Sequence, residues 1–173
     1  IKSSNPIYLG DWVCTTLSSK NIENKKIRII DNHWNDIEKL FKDYEYLKKV
    51  HRNTLLELSK VLNNMHRCSY STKFWQTIID PWLLSYIAVV FDRWETIKNI
   101  SELDYKLRVY APSKKFKHEI ARNCKDYVNI YNCDFWNHNL FIEIIKDQFN
   151  QNLFEIKYLN NFPKINPIKF KNN

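Results

Sequence analysis

Apolar residues recur with two different periods along the chain. From about Asn35 to Met65, Ile37, Tyr44, His51, Leu58 and Met65 repeat every seven residues, with Leu40, Phe41, Leu47, Leu55, Val61 and Leu62 beside them. That spacing predicts one long amphipathic helix. Asn35 followed by Glu38 predicts a capping box at its start. A second helical stretch begins near Ser71 with Phe74, Trp75, Ile78 and Ile79 on one face. Asp80-Pro81 predicts a stop or kink, because proline lacks the amide proton and clashes with the preceding turn. Asp80 as N-cap and Pro81 at the first helical position then restart the helix. Trp82, Leu83, Tyr86, Val89, Val90, Trp94 and Ile97 carry it to about Ile100 on a broad apolar face, as in a buried helix.

Shorter β-type runs flank these helices. Ile7 to Leu9, closed by Gly10 and Asp11, and Lys26 to Ile30, ending at Asp31, predict two strands. Leu107 to Ala111, before Pro112, predicts a third, and Leu153 to Tyr158 a closing strand. Ser113 to Cys124 reads as a short helix, Tyr127 to Tyr131 as a strand or extended link, and Asp134 caps a helix carrying Trp136, Leu140, Phe141, Ile144 and Ile145. Strands separated by helices predict an α/β class: a helix-rich, Rossmann-like domain with a small parallel sheet over residues 1–160. Residues 161–173 read as a polar tail or the start of an interdomain linker.

Composition narrows the chemistry. The chain has 173 residues, a net charge of +8 and a single glycine, Gly10. Phosphate cradles of the GxGxxG or GxxxxGK[ST] kind need several glycines, so no nucleotide fingerprint and no cofactor is expected. A GxSxG nucleophile elbow fails for the same reason. The charge is not gathered on one arm, since each half, divided at Pro81, carries +4. Only Lys114, Lys115 and Lys117, and the acid-free stretch from Lys157 onward, are locally basic, which gives no strong nucleic-acid signal. Cys14, Cys68, Cys124 and Cys133 fit neither a zinc knuckle nor a CxxC pair and read as free thiols. The longest greasy run, Trp82 to Phe91, is too short to span a bilayer, no cleavable signal pattern is present, and no metal site is expected.

Candidate chemistry gathers where strands end and helices begin, the usual site position in open α/β sheets. The three sets are Gly10, Asp11 and Trp12; His33, Trp34, Asn35 and Asp36; and Asp134, Trp136, Asn137 and His138. Asp134 and His138 stand four apart on a predicted helix, so the carboxylate can orient the imidazole as a base. Arg93, beside Asp92 and Trp94, offers a fork of donors to a hydroxylated or anionic ligand. His51 lies on the apolar stripe and reads as a core histidine. Six Trp, ten Tyr and ten Phe suit either sugar faces or stacked bases, though most such rings belong to a core.

The ordered blocks Tyr8-Leu9-Gly10-Asp11-Trp12-Val13-Cys14, Asn32-His33-Trp34-Asn35-Asp36, Lys42-Asp43-Tyr44-Glu45-Tyr46-Leu47, Leu62-Asn63-Asn64-Met65-His66, Lys73-Phe74-Trp75-Gln76 through Asp80-Pro81-Trp82-Leu83, Phe91-Asp92-Arg93-Trp94 and Asp134-Phe135-Trp136-Asn137-His138 resemble the N-terminal part of a bacterial family of transferases of O-antigen and surface-polysaccharide biosynthesis. The resemblance spans about Ile7 to Ile145. It implies a longer, glycosyltransferase-like enzyme of the two-domain GT-B kind. In such an enzyme the C-terminal domain holds most of the nucleotide sugar, and the N-terminal domain supplies the acceptor side. The family's Arg-Tyr-Trp-Arg run is replaced here by Lys73-Phe74-Trp75-Gln76, its Gly-Pro-Trp turn by Asp80-Pro81-Trp82, and its Asp-Asp-Arg by Asn35-Asp36-Ile37, so two arginines that could hold an anion are missing.

The resulting expectation is the acceptor-side portion of a cytoplasmic sugar transferase at or near the inner face of the membrane. Its partners would be a nucleotide sugar, held mainly by another domain, and a saccharide or lipid-linked acceptor. His33 or the Asp134/His138 pair would serve as base, and Trp34 and Trp136 as stacking surfaces. Gly10, Asp11, Trp12, Asn35, Asn137 and Arg93 would complete the substrate side, and the segment alone would not turn over. The competing expectations are an aromatic, basic module for single-stranded nucleic acid or a protein partner, and a non-catalytic scaffold relative.

Overall fold

A computed structural model describes residues 6–10, 28–103, 106–113, 121, 123–149 and 152–160. Asp11, Trp12, Cys14, the expected loop from Ser18 to Lys25, Lys114, Lys115, Lys117 and nearly all of the expected Ser113–Cys124 helix lie outside these residues.

The predicted long helix forms as α1, Ile37–His66. Its cap is one residue later than the sequence pattern indicates. Asn35 belongs to a 3-10 turn, His33–Asn35, and the Asp36 side chain accepts from the Glu38 and Lys39 amides. A carboxylate there also favours the positive end of the helix dipole. α1 ends in a left-handed residue, Arg67, at φ 51°. Cys68 N–H donates to the Asn63 carbonyl at 3.0 Å and Arg67 N–H to Asn64 at 3.4 Å, which is a Schellman closure.

α2, Thr72–Ser101, is capped by Ser71 and continues past Pro81, so the helix does not stop there. Proline at this position removes the bond to the Thr77 carbonyl. Thr77 is exposed, so water can satisfy that oxygen, and the cost of the interior proline stays tolerable. Asp80 therefore caps nothing; its carboxylate reaches across to α1 instead.

The α1–α2 hairpin is locked at its turn by Asn63. Its Oδ1 accepts from Tyr70 N at 3.0 Å, from the indole Nε1 of the buried Trp75 at 2.9 Å and from Cys68 Sγ at 3.4 Å, while its Nδ2 donates to the Tyr70 carbonyl at 2.9 Å.

The strands form two parallel pairs. β1, Ile7–Tyr8, lies against β2, Arg28–Ile29; β3, Leu107–Pro112, lies against β4, Phe154–Leu159, in register from Leu107 opposite Phe154 to Pro112 opposite Leu159. Between β3 and β4 the chain makes α3, Cys124–Tyr131, and α4, Asp134–Gln148. The expected strand at Tyr127–Tyr131 is thus helix. Asn123 supplies its cap by accepting from Asp126 N, and Tyr127 is buried beside Trp82 and Tyr86 of α2. The N-cap of α4 is Cys133, with Asp134 in its first turn.

One apolar cluster holds the α/β half together: Ile30 after β2, Ile97 and Ile100 of α2, Phe141, Ile144 and Ile145 of α4, and Phe154 of β4. Each such side chain contributes roughly 1.5–3 kcal/mol on burial. The hairpin beyond this cluster is thinly covered, with Leu55, Trp75 and Leu83 as its buried apolar residues.

Candidate functional site

The parallel register of β1 and β2 sends Gly10 and the Asp31–Trp34 segment off the same end of the pair. There the chain meets α1, α2 and α4 in a polar junction. Lys39 Nζ bonds Asp43 of its own helix at 2.9 Å and Glu95 of α2 at 2.9 Å, and Glu95 also takes Lys98 at 3.1 Å. The Trp34 indole donates to Asp43 Oδ2 at 3.1 Å, and its ring stacks on Phe91. Burial opposes the charge on Lys39, but its bonds to Asp43 and Glu95 outweigh it and hold its pKa above the lysine norm. Burial likewise opposes the Glu95 carboxylate, and Lys39 and Lys98 outweigh it in turn, so its pKa sits below the usual value.

A second branch joins α2 to α4. Asp92 pairs with Arg93, whose Nε and Nη2 donate to Asn137 Oδ1 at 3.0 and 2.9 Å. Asn137 Nδ2 donates to the Tyr131 and Cys133 carbonyls at 2.7 and 3.1 Å. His33 is 7% exposed, and its Nε2 lies 3.7 Å from Asp92 Oδ1, beyond hydrogen-bond reach. That nitrogen is buried without a hydrogen-bond partner among the described residues. Burial lowers the His33 pKa, keeping the ring neutral near pH 7.

The junction therefore holds Trp34 in one hydrogen-bonded branch and Arg93 and Asn137 in a second, with His33 packed between Asp92 and the Trp34 ring, and Gly10 is buried at the neighbouring strand end. Asn35 is exposed and Trp136 half-buried. His138 is half-buried and places Nε2 2.8 Å from the Tyr110 carbonyl of β3, and burial lowers its pKa. Asp134 is exposed in the first turn of α4. Sequence spacing put those two on one helix face; the structure directs the imidazole of His138 to another element.

A second histidine is paired with a carboxylate. His51 Nε2 stands 2.7 Å from Asp80 Oδ1, and Asp80 Oδ2 accepts from Gln76 Nε2 at 2.8 Å. A neutral amide rather than a cation steadies this carboxylate. His51 and Gln76 line a groove of about 520 Å³ in the α1–α2 seam, with Tyr44, Leu47, Leu55 and Leu84 among its other walls, and Asp80 stands behind them. That volume lies within the range of small-ligand sites. Local spacing could not reveal the pair, because its members are 29 residues apart. The available signal was the coincidence of a histidine on an apolar stripe with an Asp-Pro inside a helical run.

A family model described as LIC12162 family transferase matches residues 2–172. No curated protein and no solved structure matches the chain. With nearly its whole length matched, the chain belongs to the LIC12162 family of transferases.

Proposed function

We propose that the chain forms the acceptor side of a sugar transferase, in which a nucleotide sugar held mainly by a domain outside these residues donates to a hydroxyl of a surface-polysaccharide acceptor. A two-domain arrangement of the GT-B kind and a cytoplasmic position at the inner face of the membrane are parts of this reading. It is supported by membership in a transferase family, by the absence of any glycine-rich phosphate loop, and by a ligand-sized groove bordered by an oriented imidazole.

The carrying observation is the His51–Asp80–Gln76 arrangement. Transfer to a hydroxyl needs a base within about 3 Å of its proton. With Nε2–H donating to Asp80, the lone pair of His51 Nδ1 can take the acceptor proton. The acceptor oxygen then bonds to the sugar carbon and the nucleoside diphosphate leaves with the bonding pair. Asp80 holds the tautomer and steadies the imidazolium, as an orienting carboxylate does in other dyads. Its negative charge also opposes a second anion in the groove, which suits a hydroxyl-bearing part of the acceptor. The polar junction around His33 frames the strand ends and carries Trp34, which with Trp136 offers ring faces for sugar C–H groups.

Titration of the chain with a panel of nucleotide sugars, and separately with soluble oligosaccharides, tests this reading. Nucleotide sugars are expected to show no micromolar binding. Oligosaccharide binding is expected to move the His51 imidazole resonances and to weaken in His51→Asn. Micromolar nucleotide binding, or saccharide binding that ignores His51, overturns the assignment.

A further inference from the structure

The turn end of the α1–α2 hairpin has a composition unlike the rest of the molecule. From Leu58 to Ile79 the sequence contains no Asp or Glu but has Lys60, His66, Arg67 and Lys73. Among the described ion pairs, only Lys60 of these cations is engaged, to Glu57 at 2.7 Å. Val61 and Met65, four apart on α1, and Phe74 and Ile78, four apart on α2, flank Tyr70 in the turn; all five are 41% to 71% exposed. The Tyr70 and Phe74 rings lie 4.2 Å apart between centroids, over Trp75.

These side chains are not a frayed end. Asn63 fixes the turn through four hydrogen bonds, and the Arg67 closure ends α1 sharply. The apolar groups are therefore presented on a rigid apex. The apolar character continues into α2, which over an 18-residue window reaches a mean hydropathy of 1.3 with only 11% of that window buried.

We infer that this apex is a bilayer-docking surface, which seats its apolar residues at the headgroup boundary of an anionic membrane while Arg67 and Lys73 meet lipid phosphates. Charge complementarity selects this occupant: an acid-free, basic apex with aromatic rings is the composition of interfacial anchors. Its shape agrees, because a helix-turn apex is convex and offers no channel for a peptide or a second helix. α2 does not cross the membrane in this arrangement. Asp92 and Glu95 are buried in the polar junction, and Asp80 is tied to α1. His51 stands about 18 Å along α1 from Asn63, so docking holds the groove just above the lipid surface. The inference does not depend on which group the enzyme transfers.

Co-sedimentation of the whole chain with phosphatidylcholine vesicles, with and without phosphatidylglycerol, tests it. The anionic vesicles are expected to bind at least about tenfold more tightly than neutral ones, given roughly 1 kcal/mol per basic residue near such a surface. Met65→Glu and Ile78→Glu together are expected to abolish most of that binding, and Lys73→Glu to weaken it by several-fold. Both positions are exposed, and circular dichroism checks that the helices persist. Three results overturn the inference: no preference for anionic vesicles, undiminished binding by the double variant, or self-association of the wild-type chain that the double variant removes while neither protein binds vesicles. The last would assign the apex to a second copy.

Discussion

Two histidine–aspartate pairs sit in this molecule with their aspartates 12 residues apart on α2, about 18 Å along the helix, and they do opposite things. At the junction, His33 and Asp92 are 3.7 Å apart, with side chains 2% and 12% exposed. In the seam, His51 and Asp80 are 2.7 Å apart, at 14% and 20%. Asp92 is held by an arginine that is itself tied to α4, whereas Asp80 is held by a glutamine beside an open groove. The first arrangement ties α2 to α4 beside the 3-10 turn. The second sets an imidazole on the wall of a groove. Proximity of an imidazole and a carboxylate does not define a site; access and the identity of the third group do.

That contrast can be broken most directly by neutralising each aspartate. Asp92→Asn leaves Arg93 short of its buried counter-ion, and a loss of about 3 kcal/mol in unfolding free energy is expected, the scale for breaking a buried pair. Asp80→Asn is expected to cost only about 1 kcal/mol, the scale of one hydrogen bond, while weakening ligand binding in the groove. Denaturant titration of both variants checks the ordering, and equal losses would erase the distinction. Asn63→Ala removes the hub on which the seam's far end depends and leaves the Trp75 indole without its acceptor. About 2 kcal/mol is expected, within the range for orphaning buried polar groups.

Smaller effects sharpen the same comparison. Arg67→Gly relieves a left-handed residue and is expected to stabilise the hairpin by about 0.5–1 kcal/mol, read as a raised Tm. Acid should act on the junction. His33 has a folded pKa below its ordinary 6.5, so the unfolded chain binds its proton more readily. Its stabilising contribution is complete above pH 6.5 and is lost as pH falls below that value. His138 acts in the same direction, and Glu95, lowered from 4.5, adds its loss below pH 4.5. His33→Gln is expected to flatten the stability curve between pH 7 and 5.

The sequence made the hairpin helices and the strands at residues 7–8, 28–29, 107–112 and 154–159 legible, because their signals are periodic and local. It misplaced the α1 cap by one residue. Asn35 and Asp36 are both capping types, and only the backbone turn decides between them. It read a stop or kink at Pro81 because the penalty is real; that the helix continues depends on whether the orphaned carbonyl faces water, a tertiary fact. Tyr127–Tyr131 looked extended from its aromatic and β-branched content, and packing against α2 made it helical. For the site, His33, Trp34, Arg93 and Asn137 were each singled out in the sequence, from three separate stretches, and the structure places all four at or beside the junction. The His51–Asp80 pair was not, since it arises only once the two helices fold back on each other.

The pairing of β3 with β4 has a kinetic consequence. These strands meet in parallel only after α3 and α4 have been threaded between residues as distant as Arg108 and Glu155, 47 positions apart. α1 and α2 need only a short turn to find each other. Closing the longer loop carries the larger entropy cost, so nucleation belongs to the hairpin and the α/β half condenses onto it afterward. Refolding should therefore show helical signal appearing ahead of the strand register, with the interval set by the crossover rather than by the turn.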